Sequence, residues 1–406
     1  MTTDRLFKPS RKAAISMLSE FIPNAGSDYS NKRNFDYGTG KHQSVSRLSP
    51  WLRHRLITEK EVVSAVLYSH SAKEAQMYLQ EVFWRTYWKG WLEMRPQVWH
   101  QYQLDVQSLY QDEKACSECM ATVESGTGIE CFDYWVRELT ETGYLHNHAR
   151  MWFASIWIFT LQLPWQLGAD FFLQHLLDGD PASNTLSWRW VAGLQTKGKA
   201  YAASAENINK YTDGRFNPAG QLNECIEPLT EDHDFKKHEL PVLANEAPAG
   251  SFGLLVHEED LSPQILQNCT ACQSIITLKT RKMLSPGGVS KAVSDFTSQC
   301  IDSAVHSHSY NIHTSLVCDE QADIQPVCDS IVQWCKDRKL NAVTWAYPPT
   351  GPTAAVLHMA KKTLRVNNIE CAIIQSRWDK TIWPHADKGF FPLKKKIPQL
   401  LHDLDM

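Results

Sequence analysis

Several clusters in this 406-residue chain have residue types and spacings that can do chemistry. The first is DGDPASNTLSWRW, 178–190. It sets Asp178 and Asp180 on a turn, with Asn184, Trp188 and Trp190 just beyond. Paired turn carboxylates are ordinarily solvated. They can also meet a cation, or the N–H and ribose groups of a ligand. The second is EVFWRTYW, 81–88, where Glu81, Trp84, Arg85 and Trp88 share one helical face. That face is either an amphipathic core edge or a set of groups able to hold a charged planar ligand. The third is VSRLSPWLRHRL, 45–56. Ser46 and Ser49 stand at the expected start of a helix, and Pro50 suits its first turn. Free N–H groups with Arg47, Arg53 and Arg55 nearby suit a phosphate. A capped helix with solvated arginines is the alternative.

Metal chemistry is not expected. His146 and His148 lie at i, i+2, which points two helical side chains apart, and no carboxylate or Cys accompanies them. Cys116/Cys119 and Cys269/Cys272 form CxxC pairs but lack partner pairs at zinc-like spacing.

The elements that must position these residues change character along the chain. Spacings of three and four predict helices over 59–68, 71–94, 132–143 and 148–163. Asp133 is expected to begin one of them and Gly143 to end it. Residues 224–250 are charged and aperiodic and read as a linker. Beyond them, GSFGLLVHEED, QSIITLKT, NIHTSLVCD, LNAVTWAYP and IECAIIQSRWD read as short strands. Helices over 322–339 and 351–367 separate the later ones. This alternation predicts a doubly wound parallel sheet.

Composition bounds the rest. Apolar residues make up 43% and charged residues 21%, which excludes a largely disordered chain. The net charge of -4 excludes a chain-wide polycation, though a local basic groove suffices for DNA. Eleven cysteines form no dense disulfide framework, and the charged start lacks an apolar leader. A reducing cytoplasm is expected. The apolar stretch 151–167 contains Gln162 and Pro164 and falls short of the ~20 residues a membrane span needs. Fifteen tryptophans, most of them before residue 191, fill a helical core or flank a flat ligand.

The segments VSRLSPWLRHRLI, EVFWRTYW, ECFDYWVRELTETGYLHNHARMWFAS, LPWQLGADFFLQHLLDGDPASNTLSWRW and GRFNP occur in that order. Together they resemble the FAD-binding domain of the photolyase/cryptochrome family over roughly residues 20–220. The resemblance implies a helical FAD-binding domain over 1–225, a linker over 226–250 and a smaller Rossmann-like α/β domain over 251–406. It implies that Tyr29, Ser46, Leu48, Ser49 and Arg85 hold the FAD phosphates and ribityl chain. Asn147, Arg150, Asp178 and Asp180 would line the flavin, and Asn184 would face its N5. Glu81, Trp84, Asn147, Met151 and Trp190 match positions that hold a flipped-out cyclobutane dimer. A dimer pulled from the stack needs flat walls and polar groups for its carbonyl edges. Glu81 with a raised pKa would donate a hydrogen bond to it. Trp188 and Trp165 match the proximal and middle electron-transfer tryptophans. The distal position has no Trp; Tyr110 or Trp99 would have to substitute.

Departures are specific. Val45 replaces the family's Thr, and Thr86 its Glu. Residues 199–211 resemble a stretch of the iron–sulphur branch without the cysteines that follow it there. FGLLVHEEDLSPQIL and the segment from Ile369 to Leu401 resemble the start and end of the family's antenna domain. That implies a permuted order, FAD domain first; an unrelated α/β domain is the alternative. The opening strand carries no nucleotide-binding glycine loop. KGFFPLKKK, 388–396, suits DNA or a solvated tail. The implied function is light-driven repair of pyrimidine dimers in UV-damaged DNA by a monomer. The alternative is a cryptochrome-like blue-light or redox sensor signalling to a protein partner through the C-terminal domain.

Overall fold

The computed structural model describes residues 6–243, 248, 250–268, 272–306 and 312–406. Part of the expected linker, and Cys269, lie outside the described residues.

The first half is helical. Its helices are α1 (Arg11–Phe21), α2 (Ser27–Lys32), α3 (Ser49–Arg53), α4 (Glu59–Ser69), α5 (Gln76–Glu93) and α6 (Gln97–Gln111). α7 (Glu113–Ser125), α8 (Glu130–Thr142), α9 (Asn147–Ser155), α10 (Trp165–His175), α11 (Pro181–Val191) and α12 (Ala205–Tyr211) follow. Local chemistry sets several ends. Thr58 and Glu61 form a capping box at α4. Gly143 ends α8 with φ 69°, a left-handed turn in which glycine meets no Cβ penalty. Asp133 does not begin α8, which starts earlier. Its carboxylate instead accepts the N–H groups of Thr127 and Gly128 ahead of the helix. α9 runs on into a π turn, Ile156–Thr160.

The second half alternates. β1 (Phe252–His257), α13 (Pro263–Asn268), β2 (Ser274–Lys279), α14 (Lys291–His306) and β3 (Ile312–Val317) come first. α15 (Ile324–Arg338), β4 (Ala342–Ala346), α16 (Pro352–Val366), β5 (Glu370–Ile374), α17 (Arg377–Ile382) and α18 (Phe390–Asp403) complete it. The five strands are parallel in the order β3-β2-β1-β4-β5. Each expected strand is present and starts within two residues of its expected start; the first and last end earlier than expected, at His257 and Ile374. Residues 388–396, read as a DNA-binding or solvated stretch, instead enter α18, whose Phe390, Leu393 and Ile397 are buried.

Alternation along β1 separates two cores. Leu255 faces a cluster with Trp334, Val343 and Trp345, beneath α15 and α16. Leu254 and Val256 face the other way, into a cluster that also holds Trp51, Phe83, Phe296, Trp378 and Phe390. That second core therefore joins the sheet to the helical half. A third core, around Trp135, Trp152, Trp157 and Trp188, is almost wholly helical. Among the described residues, no helix is long and apolar enough to cross a membrane.

Candidate functional site

The 178–180 turn lies between α10 and α11 and is buried rather than solvated. Asp180 caps α11, its Oδ1 accepting Ala182 N and Ser183 N, each at 2.9 Å. Its other oxygen faces Arg85 at 3.3 Å and Lys89 at 3.5 Å. Burial raises its pKa, but Lys89, Arg85 and Arg53 outweigh that and hold it well below the carboxylate range. Asp178 pairs with Arg150 at 2.9 Å. Burial again opposes ionisation, and Arg150 again prevails. Asn184, one turn into α11, donates from Nδ2 to Ala169 O at 2.8 Å.

Buried polar atoms without a hydrogen-bond partner gather here. They include Asp178 Oδ1, Arg85 Nε, Lys89 Nζ and Ser183 Oγ. An orphaned carboxylate oxygen beside cationic donors suits a ligand that carries both N–H and anionic groups. Leu48 and Tyr29 are buried, and Tyr29 packs edge-on to Tyr78 at 5.1 Å. Ser46 and Ser49 are half-buried on either side of Leu48.

The expected dimer-contacting residues have varied surroundings. Glu81 forms an ion pair with Arg33. Burial raises its pKa against the pull of Arg33, and the net shift is upward. Trp84 stacks on Phe390 of α18, with ring centroids 3.7 Å apart. Trp190 stacks on Tyr201 of the 199–211 stretch at 5.7 Å. Asn147 and Met151 lie one turn apart on α9, Asn147 exposed and Met151 half-buried. Trp188 meets Trp157 edge-on at 6.4 Å. Trp165 touches Tyr102 at 5.7 Å, and Tyr102 touches Trp99 at 5.3 Å. Tyr110 instead hydrogen-bonds Asp170 at 2.8 Å.

The arginines of the 45–56 segment are the clearest correction. Arg53 and Arg55 are neither solvated nor free for a phosphate. Arg53 pairs with Glu259 at 2.6 Å. Arg55 pairs with Asp260 at 2.9 Å and Asp379 at 2.6 Å. These carboxylates come from the α/β half. Glu259 and Asp260 follow β1, and Tyr347 and Thr350 follow β4, both bonding Glu93 of α5. The crevice beyond β1 and β4 is where the winding of such a sheet reverses and where a doubly wound sheet ordinarily takes a ligand. Here it receives the helical half. Thr86, one of the departures, accepts Trp378 Nε1 at 2.9 Å across the same junction.

Sequence reasoning missed Lys89, though its place one turn beyond Arg85 was a usable signal. It also missed the buried group Asp36, His42 and Glu138, whose ligand atoms lie within 4.8 Å of one another. His42 Nε2 sits 3.0 Å from Glu138. Asp36 is taken up by Gly38 N, Trp135 Nε1 and Arg215. Arg215 beside it opposes a further cation.

Residues 78–245 match the family model described as the FAD binding domain of DNA photolyase. Over these residues the chain is similar to a photolyase-type FAD-binding domain. That match indicates FAD as the cofactor, and the unsatisfied donors and acceptors of the 178–180 turn fit such a group. A deoxyribodipyrimidine photo-lyase of Synechococcus sp. is 31% identical over 192 residues, covering 46% of this chain and 39% of that protein. The Escherichia coli photo-lyase is 28% identical over 200 residues, covering 48% and 42%. A class III photolyase structure from Agrobacterium tumefaciens aligns with a TM-score of 0.41 at 26% identity, covering 52% of this chain and 44% of that one. The chain thus spans about two-fifths of the length of these curated relatives.

Proposed function

We propose that this protein is a cytoplasmic, monomeric photolyase that repairs cyclobutane pyrimidine dimers in UV-damaged DNA. The 178–190 segment carries the reading, with Arg150 and Asp178 paired at 2.9 Å inside a matched FAD-binding domain. When bound and reduced, FAD supplies the light-excited electron that splits the dimer and takes it back afterwards. The chain's residues bind and orient. Asp178 and Asp180 accept from the flavin's N–H and hydroxyl groups, while Ser46, Ser49 and Arg85 donate to its phosphates. Trp84 and Trp190 offer flat walls to an extruded dimer, and Asn147 and Met151 line its edge. Glu81, its pKa shifted upward, donates a hydrogen bond to a dimer carbonyl.

The α/β half fits a diverged antenna domain that follows the FAD domain instead of preceding it. Five parallel strands wound in the order 3-2-1-4-5 support this reading.

The double variant Glu81→Ala, Trp190→Ala tests the site. It is expected to retain FAD and lose repair of a thymine-dimer oligonucleotide under blue light. Repair at the wild-type rate would displace the pocket. A sensor without repair activity is the second reading. It is favoured by Phe390 on Trp84 and Arg33 on Glu81, which engage two dimer-contacting groups. Light-driven FAD reduction with no binding of dimer DNA by the wild type would select it.

A further inference from the structure

The carbonyl of Gly179 lies between the two carboxylates of the turn, and two guanidinium groups hold it. Arg53 of α3 donates from Nε at 2.8 Å. Arg281, from the 3-10 helix Arg281–Leu284 after β2, donates from Nη1 at 2.6 Å. Arg281 Nη2 also donates to Leu176 O at 2.9 Å, so one side chain ties the turn to the end of α10. Glycine is the residue whose backbone is least restrained by its own side chain. Rotation of the peptide at Gly179 would redirect both Asp178 and Asp180, so their aim depends on what grips this carbonyl.

The grip is electrostatically expensive. Burial and the neighbouring Arg53 pull the Arg281 pKa down to about 10. Glu258, Glu259 and Asp178 offset the two cations. Space is close as well: a Cβ at Gly179 would stand 3.1 Å from Arg281 Nη2 and 3.2 Å from Leu176 O.

We propose that Arg281 is a positioning residue for FAD: through Gly179 and Leu176, the α/β half sets the aim of the Asp178 and Asp180 carboxylates. This rests on the FAD-binding reading of the 178–180 turn. The α/β half is then part of the cofactor site without touching the cofactor.

The test uses the full chain. FAD dissociation constants are measured by flavin fluorescence for wild type, Arg281→Gln, Arg281→Lys and Trp378→Phe. Thermal midpoints of the FAD-free proteins are recorded alongside. Trp378→Phe removes a junction hydrogen bond in which no atom of the turn takes part and serves as the control for a loosened interface. Arg281→Gln is expected to weaken FAD binding tenfold or more and to alter the fine structure of the bound flavin's absorption band. Arg281→Lys keeps a cation and one donor and should fall between, which also covers a Gln variant that does not fold. Trp378→Phe should lower the midpoint and leave FAD affinity unchanged. Wild-type affinity and spectrum in both Arg281 variants would overturn the proposal. So would an equal loss of affinity in Trp378→Phe. A wild-type protein that binds no FAD would instead remove the reading on which the proposal rests.

Discussion

Arg53 and Glu259 are 206 residues apart and form a two-pronged ion pair, with N···O distances of 2.6 and 2.7 Å. Arg53 is completely buried. The pair lies where the helical and α/β halves meet and touches the 178–180 turn, because the same guanidinium donates to Gly179 O at 2.8 Å. Removing one partner leaves the other charged in a dry junction. Arg53→Met is expected to cost about 3–5 kcal/mol of stability. The double variant Arg53→Met, Glu259→Met should lose less than Glu259→Met and Arg53→Met combined. Denaturant titration of all the variants checks this, and strict additivity would contradict the coupling.

Glu258 gives the junction a pH dependence. Burial raises its carboxyl to about 7, Thr280 N opposes this, Glu259 adds to it, and Arg281 and Arg53 oppose it. An unfolded Glu titrates at about pH 4.3. The folded state holds the proton more tightly, so this contribution is full below the unfolded pKa. It is lost as pH rises to about 7 and stays flat above. The slope reaches up to ~1.4 kcal/mol per pH unit. Glu258→Gln should flatten the fall in unfolding midpoint over that window while keeping an acceptor for Thr280 N. An unchanged slope would assign it to other groups.

Asp178→Asn keeps the shape of the turn and removes the charge facing Arg150. A charge-assisted hydrogen bond is worth about 1.5–3 kcal/mol, so FAD affinity should fall roughly ten- to hundredfold. Equilibrium titration with FAD measures this. Undiminished affinity would take Asp178 out of the cofactor site.

Gly168 in α10 sets the place of Trp188. A Cβ there would meet Trp188 Cη2 at 2.4 Å and Trp157 Nε1 at 2.8 Å. Alanine gains about 1 kcal/mol in helix propensity. Overpacking two indoles costs about 1–3 kcal/mol, so Gly168→Ala should destabilise the protein. It should also change the rate of flavin photoreduction, because Trp188 must shift. A destabilised variant with an unaltered rate would separate Trp188 from electron transfer.

Much of the fold is written locally. Alternation and turn residues locate all five strands, since each strand's pattern lies within its own few residues. Gly143 is legible as a helix end for the same reason. The start of α18 is not: Lys394, Lys395 and Lys396 suggest solvent or DNA, while burial of Phe390 and Leu393 depends on α5 lying opposite.

The candidate site divides the same way. Asp178, Asp180 and Asn184 fall in one short motif spanning a turn and the helix after it, and Arg150 in another, 28 residues before Asp178, which the packing of helices brings to it. The sequence by itself therefore determines a helical half, which resembles an FAD-binding domain, and a parallel α/β half. Only the tertiary structure decides that Arg53 and Arg55 face carboxylates rather than phosphate, that Phe390 covers Trp84, and that Arg281 grips Gly179. Ion pairing and stacking act over a few ångströms in space, and no periodicity along the chain records a partner some hundred or more residues away.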